Sequence, residues 1–239
     1  MKTFLTAEWK NLLMLNFETD ISTLTPYLPP GTEADDYHGK FYVSIVGFHF
    51  RDTKLKCIAI PFHQNFEELN LRFYVRFKEN NQWKRGVVFI KEIVPKKMIA
   101  WVANTVYGEH YTCLPMKHLY AQDGDNIHVS YNWHFLKEWS SISAVAKSKT
   151  QIIQPESFEE FITEHYWGYA KINQQTTTEY QVDHPRWQLH PLQSYQFHCN
   201  FIRELYGNDF FDCLSQKPFS VFLANGSPVK VFDRKLLRY

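Results

Sequence analysis

The chain has 239 residues, 44% of them hydrophobic and 17% aromatic, with 20 Phe, 14 Tyr and 7 Trp; this is ample material for one large core and suits packed sheets better than helical bundles. With 26 Lys plus Arg against 25 Asp plus Glu, no net field recruits nucleic acid or an anionic membrane, and neither is expected as a partner. No apolar run reaches the roughly 20 residues of a membrane span. No apolar leader follows Met1, and Cys57, Cys113, Cys199 and Cys213 form no CxxC pair, which together predict a cytoplasmic chain with reduced thiols.

In chain order, Trp9 to Phe17 reads as a strand. Ile21, Leu24 and Leu28 have near-helical spacing behind the possible caps Asp20 and Ser22, and Pro29 and Pro30 stop that short helix. KFYVSIVGFHF, from Lys40 to Phe50, is rich in β-branched and aromatic residues and is a clear strand, whereas RDTKLKCIAIPFHQNFEE reads as a loop. Leu69, Leu71, Phe73, Val75 and Phe77 then alternate with Asn70, Arg72, Tyr74 and Arg76, the period of a strand with two unlike faces. The polar face is either a pocket wall or an ordinary solvated surface, and the second is favoured because most antiparallel sheets have one wet face. KENNQWKRG is a polar hairpin connection into the strand GVVFIKEIV.

Ile99, Val102, Ala103, Val106 and Tyr107 fall at three- and four-residue spacings. They predict a helix from about Pro95 to Tyr107, stopped by Gly108 and packed on or into a sheet. NIHVSYNWHF, from Asn126 to Phe135, alternates as a strand, and WSSISAVAKSKTQII follows as another. Ser157 and Glu160 make a capping box that opens a helix within Ser157 to Tyr169. TTTEYQVDHPRWQLHPLQSYQFHCNF is strand and loop, FIRELYG is a short helix, and PFSVFLANGSPVKVF reads as a terminal hairpin turning at Asn225 and Gly226. With no repeat, low-complexity segment or linker, residues 1–239 form one domain.

Chemical motifs are sparse: there is no GxGxxG, Walker loop, GxSxG or HExxH. The spacings of His184, His190, His198 and Cys199 match no zinc module, so neither metal nor cofactor is expected. The densest mixture of polar and aromatic residues lies between Pro61 and Lys117 and includes His63, Glu68, Asn70, Arg72, Arg85, Glu92 and Lys117.

LTPYLPPGTEAD, KFYVSIVGFHF, FHQNFEELNLRFYV, RGVVFIKEIVP, YGEHYTCLPM, FITEHYW, HPRW and GSPVKVF resemble, in the same order, blocks of the YqjF-like family of unknown function, DUF2071. The resemblance covers essentially the whole chain. It implies an acetoacetate decarboxylase-like fold of the α+β class, dominated by β structure: a curved antiparallel sheet or partly closed barrel around a central pocket, with a few short helices. In the decarboxylase, a lysine of a Pro-Lys-Lys motif just after a helix forms a Schiff base with a β-keto acid, and a neighbouring cation lowers its pKa.

Two places in this chain compete for that motif. Pro95, Lys96 and Lys97 match the letters but precede the predicted helix, while Pro115, Met116 and Lys117 match the placement but put methionine where the nucleophile belongs. Catalysis depends on where the amine projects, so placement is the better guide; Lys96 and Lys97 read as surface residues, and the Schiff-base lysine is missing. Three functions remain. One is a pocket protein binding an anionic or carbonyl ligand at Arg72, Asn70, Arg85, His63, Tyr107, Tyr111 and Met116, with Lys117 as a further cation. Another is a decarboxylase-like lyase or a hydrolase acting on a keto acid through Lys117, Glu68 or Glu92. The last is a non-catalytic structural module. A homo-oligomer is compatible with each.

Overall fold

A computed structural model describes residues 2–239. The first half of the chain supplies long strands: β1 (Thr3–Thr19), β2 (Thr32–Ala34), β3 (Phe41–Leu55), β4 (Ile58–Ala59), β5 (Phe66–Glu79) and β6 (Gln82–Val94), with the short helix α1 (Ile21–Leu24) after β1. Helix α2 (Lys97–Tyr107) leads to β7 (Tyr111–Cys113), β8 (Met116–Asp123), β9 (Asn126–Phe135), β10 (Glu138–Lys147) and β11 (Gln151–Ile152). Then come α3 (Phe158–Thr163), β12 (Trp167–Asn173), β13 (Thr176–Asp183), β14 (Gln188–His190) and β15 (Leu192–His198). Helices α4 (Ile202–Tyr206) and α5 (Phe211–Leu214) precede the last strands, β16 (Ser220–Phe232) and β17 (Lys235–Arg238).

Strands β16, β1, β3, β5, β6, β12 and β13 are neighbours in that order in a 13-stranded sheet, and a further pairing of β13 with β16 brings the path back to its start. Every pairing around this ring is antiparallel except β6 with β12. The closing arc is lightly stitched, by Trp167 with Gly86 and Gly168 with Val87 on one side and by Val182 with Val231 and Asp183 with Lys230 on the other. Strands β15, β10, β9 and β8 form a separate four-stranded sheet.

Alternation sends the two faces of the ring strands to different places. Outward, Leu13 and Leu15 of β1, Val43 and Ile45 of β3, and Leu69, Leu71, Phe73 and Val75 of β5 pack with Val129, Tyr131, Trp133 and Ile142 of the second sheet. At about 1.5–3 kcal/mol for each large side chain buried, this layer is a main source of stability. Inward, Leu12, Met14, Val46, Phe48, Phe66, Tyr74 and Val87 gather with Phe161 and Trp187. The expectation of a wet polar face on β5 therefore fails. Asn70, Arg72 and Tyr74 are buried, because the strand has the ring interior on one side and the second sheet on the other.

Local signals were honoured at some points and overridden at others. Gly108 adopts the left-handed conformation, φ 74°, and caps α2 by donating its N–H to the Asn104 carbonyl, as a helix-stop glycine should. Arg51 to Leu55 continue β3 instead of forming a loop, and β8 is a strand that the sequence does not announce. Helix α3 starts at the Ser157 cap but ends at Thr163, and the Glu160 carboxylate takes the N–H of Glu156, not that of Ser157.

The terminal hairpin is absent. β16 runs straight through Asn225 and Gly226 beside β1, where Gly226 has φ 80° and a Cβ would sit 2.0 Å from the Trp9 carbonyl oxygen. Opposite, Asn11 has φ 54°, and the carbonyls of Lys10 and Asn11 accept from the Tyr131 hydroxyl of the second sheet. The Asn-Gly pair therefore makes no turn and stays in unbroken register with β1; the irregularity falls in β1, whose register with β3 shifts between Lys10 and Leu13. Among the described residues no helix is long and apolar enough to cross a membrane.

Candidate functional site

A cavity of about 200 Å³ lies inside the ring. Phe66, Glu68, Asn70 and Arg72 of β5 share one face and line it, and Val87, Phe89 and Glu92 of β6 stand beside them. Phe89 and Glu92 are three residues apart yet both face inward. The register slips between Leu71 opposite Lys91 and Arg72 opposite Phe89, and this bulge takes up the odd residue. Helix α2 covers the cavity with Met98, Ile99, Val102, Ala103 and Tyr107. Beyond Gly108, the Asn104 side chain accepts the Tyr111 N–H at 2.7 Å and donates to the Tyr111 carbonyl at 3.0 Å. That clamp and the pairing of Tyr111 with Glu92 hold Glu109 and Tyr111 against the acids of β5 and β6.

Three buried carboxyls, Glu68, Glu92 and Glu109, share this end of the cavity. Tyr111 donates to Glu68 Oε2 at 2.9 Å, Asn70 Nδ2 to Glu68 Oε1 at 3.1 Å, and Tyr180 to Glu109 Oε1 at 2.7 Å. Glu92 Oε2, Glu109 Oε2 and Asn70 Oδ1 are buried without a partner. Burial pushes Glu68 up to about 7, despite its donors and the Arg72 charge, and pushes Glu109 up to about 8. Glu92 lies well above the carboxylate range because of burial and the charges of Glu109 and Glu68. The cluster therefore holds protons at neutral pH.

The other end carries a cation and an oriented imidazole. Arg72 is 9% exposed and has no ion-pair partner among the described residues, and its Nε is buried without a hydrogen bond. His165 Nε2 lies 3.1 Å from Asp35 Oδ2, which also accepts from Arg85 Nε at 2.7 Å. Burial pushes His165 down to about 4, outweighing the Asp35 carboxylate. Burial would raise Asp35, but the bonds from His165 and Arg85 prevail and hold it below its usual value. A neutral imidazole that gives its Nε2 proton to a carboxylate keeps a bare Nδ1, and the buried Nδ1 of His165 has no partner.

The DUF2071 profile, described as an uncharacterized conserved protein, matches residues 6–228. The chain belongs to the DUF2071 family. YqjF of Bacillus subtilis strain 168 is 24% identical over 201 residues, which cover 83% of this chain and 80% of that protein. Among solved structures, acetoacetate decarboxylase from Legionella pneumophila matches with a TM-score of 0.65 at 14% identity, over 99% of this chain and 88% of its own. The enduracididine biosynthesis enzyme MppR, complexed with pyruvate, matches with a TM-score of 0.67 at 10% identity, over 99% and 91%. These likenesses show that the fold of this DUF2071 protein is acetoacetate decarboxylase-like.

Of the positions singled out in the DUF2071 sequence, His63, Glu68, Asn70, Arg72, Glu92, Tyr107 and Tyr111 line the cavity; Arg85, Met116 and Lys117 do not. Arg85 bonds Asp35 and lies 4.8 Å over the Phe161 ring. Met116 packs on the outer core, and Lys117 is exposed with its ammonium 4.6 Å over the Trp139 ring. Both belong to β8, in the sheet outside the ring, so neither reaches the interior. The candidate histidines also part company: His184 stacks on Trp187 in the cavity wall, whereas His190 bonds the Lys147 carbonyl. Sequence reasoning missed Glu109, His165, Asp35 and Tyr180. Glu109 follows a helix-stop glycine, and His165 sits beside Tyr166 and Trp167. Polar residues flanked by such features were the available signal.

Proposed function

We propose that this DUF2071 protein binds a small carboxylate, a 2-oxo acid foremost, and that Arg72 receives the carboxylate. The observation carrying this reading is the unpaired guanidinium of Arg72. A buried charge without a counter-ion is expensive, and an anion completes it. Its planar fork matches the two oxygens of a carboxylate. The neighbouring wall of Leu12, Val46, Phe48 and Phe89 suits a short hydrocarbon or carbonyl body, and 200 Å³ favours something smaller than a drug-sized ligand. MppR was seen with pyruvate, and the Legionella enzyme is named for acetoacetate; both are oxo acids. None of the lining residues is a lysine, which supports binding without an imine.

The bare Nδ1 of His165 favours a second reading, in which the protein moves a proton on the bound oxo acid. The imidazole takes a proton from the carbon beside the carbonyl, and a protonated Glu68 gives one to the carbonyl oxygen, leaving an enol. Deuterium uptake by 2-oxobutyrate in heavy water, followed by proton magnetic resonance, tests that step. No uptake above the protein-free rate rejects it.

Calorimetric titration with pyruvate, valerate and n-pentanol tests the main reading. Both carboxylates are expected to bind and the alcohol is not, and Arg72→Met is expected to lose about 30-fold or more in affinity. Carboxylate binding that survives in a folded Arg72→Met protein, or no carboxylate binding at all, overturns it.

A further inference from the structure

We infer that the end of the cavity formed by Asn70, Glu92 and Glu109 is a receptor for a cationic group rich in N–H donors, which makes the ligand bipolar: an amino or guanidino acid. The inference rests on the Arg72 reading for the anionic end alone.

A census of donors and acceptors carries it. Asn70 Oδ1, Glu92 Oε2 and Glu109 Oε2 are buried oxygens with no partner, in residues that line one space, and the two carboxyl oxygens become acceptors once an arriving cation displaces the protons the acids hold. The two tyrosine hydroxyls at this end already donate elsewhere, Tyr111 to Glu68 Oε2 and Tyr180 to Glu109 Oε1. Asn70 is an observation independent of the acids. It carries no titratable group, and with its Nδ2 donating to Glu68 Oε1 at 3.1 Å its Oδ1 is left without a partner in the cavity lining. Buried acceptors left unmatched are unfavourable, and a ligand bringing several N–H groups satisfies them together.

The shape of the site selects among cations. Among the described residues no group of three or more His, Cys, Asp or Glu is disposed to hold a metal ion, which points to a polyatomic cation. Tyr107, Tyr111 and Tyr180 line the same cavity as the acids, and aromatic rings favour such ions. Asn70 and Arg72 are two residues apart on one strand face, about 7 Å. That spacing is between backbone positions, and δ-aminovalerate, with its ammonium and carboxylate at the two ends of a short methylene chain, is a probe of the same scale. A cation arriving beside protonated acids lowers their pKa, so its binding releases protons.

Calorimetry of the full chain in two buffers of different ionisation enthalpy, with valerate, δ-aminovalerate and n-butylamine, tests this. δ-Aminovalerate is expected to bind about tenfold or more tightly than valerate, as charge-assisted hydrogen bonds would give, and to release protons where valerate does not. Glu92→Gln is expected to bring the ratio of the two affinities close to one. Valerate binding as well as δ-aminovalerate to the unmodified protein overturns the inference and leaves the Arg72 reading standing. Binding of n-butylamine with proton release, but not of valerate, supports the cation receptor and removes the Arg72 reading. Binding of none of the three overturns both. Each of these outcomes is read on the unmodified protein and needs no variant to fold.

Discussion

The two faces of β5 belong to different kinds of interior. Leu69, Leu71, Phe73 and Val75 press on the second sheet in a layer dominated by apolar side chains. Glu68, Asn70 and Arg72, one residue out of phase, border open space with unmet polar atoms. One strand therefore stabilises the fold with its outer residues and holds uncompensated chemistry with its inner ones. Stability and function are separable by parity along this strand, a division that substitutions can attack from either side.

The largest effect is expected outside. Phe73→Ala should lower unfolding free energy by about 3–5 kcal/mol through lost burial and a cavity that the second sheet cannot fill, measured by urea denaturation. The inner face should answer with the opposite sign. Arg72→Met removes an unpaired buried charge and should raise stability by about 1–4 kcal/mol while weakening carboxylate binding by about 30-fold or more. Equal destabilisation by the two substitutions would erase the distinction between the faces.

pH sharpens the contrast. Glu68 and Glu109 titrate near 7 and 8 in the folded chain, above their unfolded values, so the native state keeps protons that the unfolded chain has released. Their contribution is fully present at acid pH and is lost as pH rises through those folded values. His49 and His165, pushed down to about 4 chiefly by burial, act in the other direction. Their contribution grows as pH rises from about 4 and is complete above about 6.5. Between about pH 6.5 and 8 the acids dominate, and stability should fall by roughly 1 kcal/mol per pH unit for each acid titrating. Replacing Glu68, Glu92 and Glu109 together by Gln should flatten thermal-melting profiles over that range.

The smallest effects are expected on β8. Lys117→Ala should change stability by no more than about 0.5 kcal/mol and leave carboxylate binding intact. Borohydride with pyruvate should trap no adduct by intact mass, in the unmodified protein or in Met116→Lys, since an amine at that position lies outside the ring. Trapping at Lys96, Lys97 or Lys117 would reverse this assignment.

Alternation in the sequence was enough to separate Leu69 and Phe73 from Asn70 and Arg72, and three- and four-residue spacing was enough to find α2. Whether the polar face of β5 was wet could not be read locally, because its enclosure depends on β12 and β13, strands remote in sequence. For the same reason the hairpin signal of Asn225 and Gly226 misled: pairing with β1 along the whole of β16 outweighed a two-residue preference. Letter motifs located lysines but not their side of the sheet, and Lys117 fell outside. Glu109, His165 and Asp35 arrive at the site from separate segments, and no spacing rule connects them.

The light stitching of β12 and β13 into the ring has a kinetic consequence. The segments it joins are far apart in sequence, so closing the arc carries a large loop-closure entropy and is expected late in folding. Before closure, Glu68, Glu92 and Glu109 are hydrated and ionise as ordinary carboxylates; afterwards they hold protons. Refolding at neutral pH should therefore consume protons in its last phase. A pH indicator in stopped-flow refolding would time ring closure separately from the fluorescence of Trp133 in the outer layer, followed in a variant whose other tryptophans are replaced by Phe.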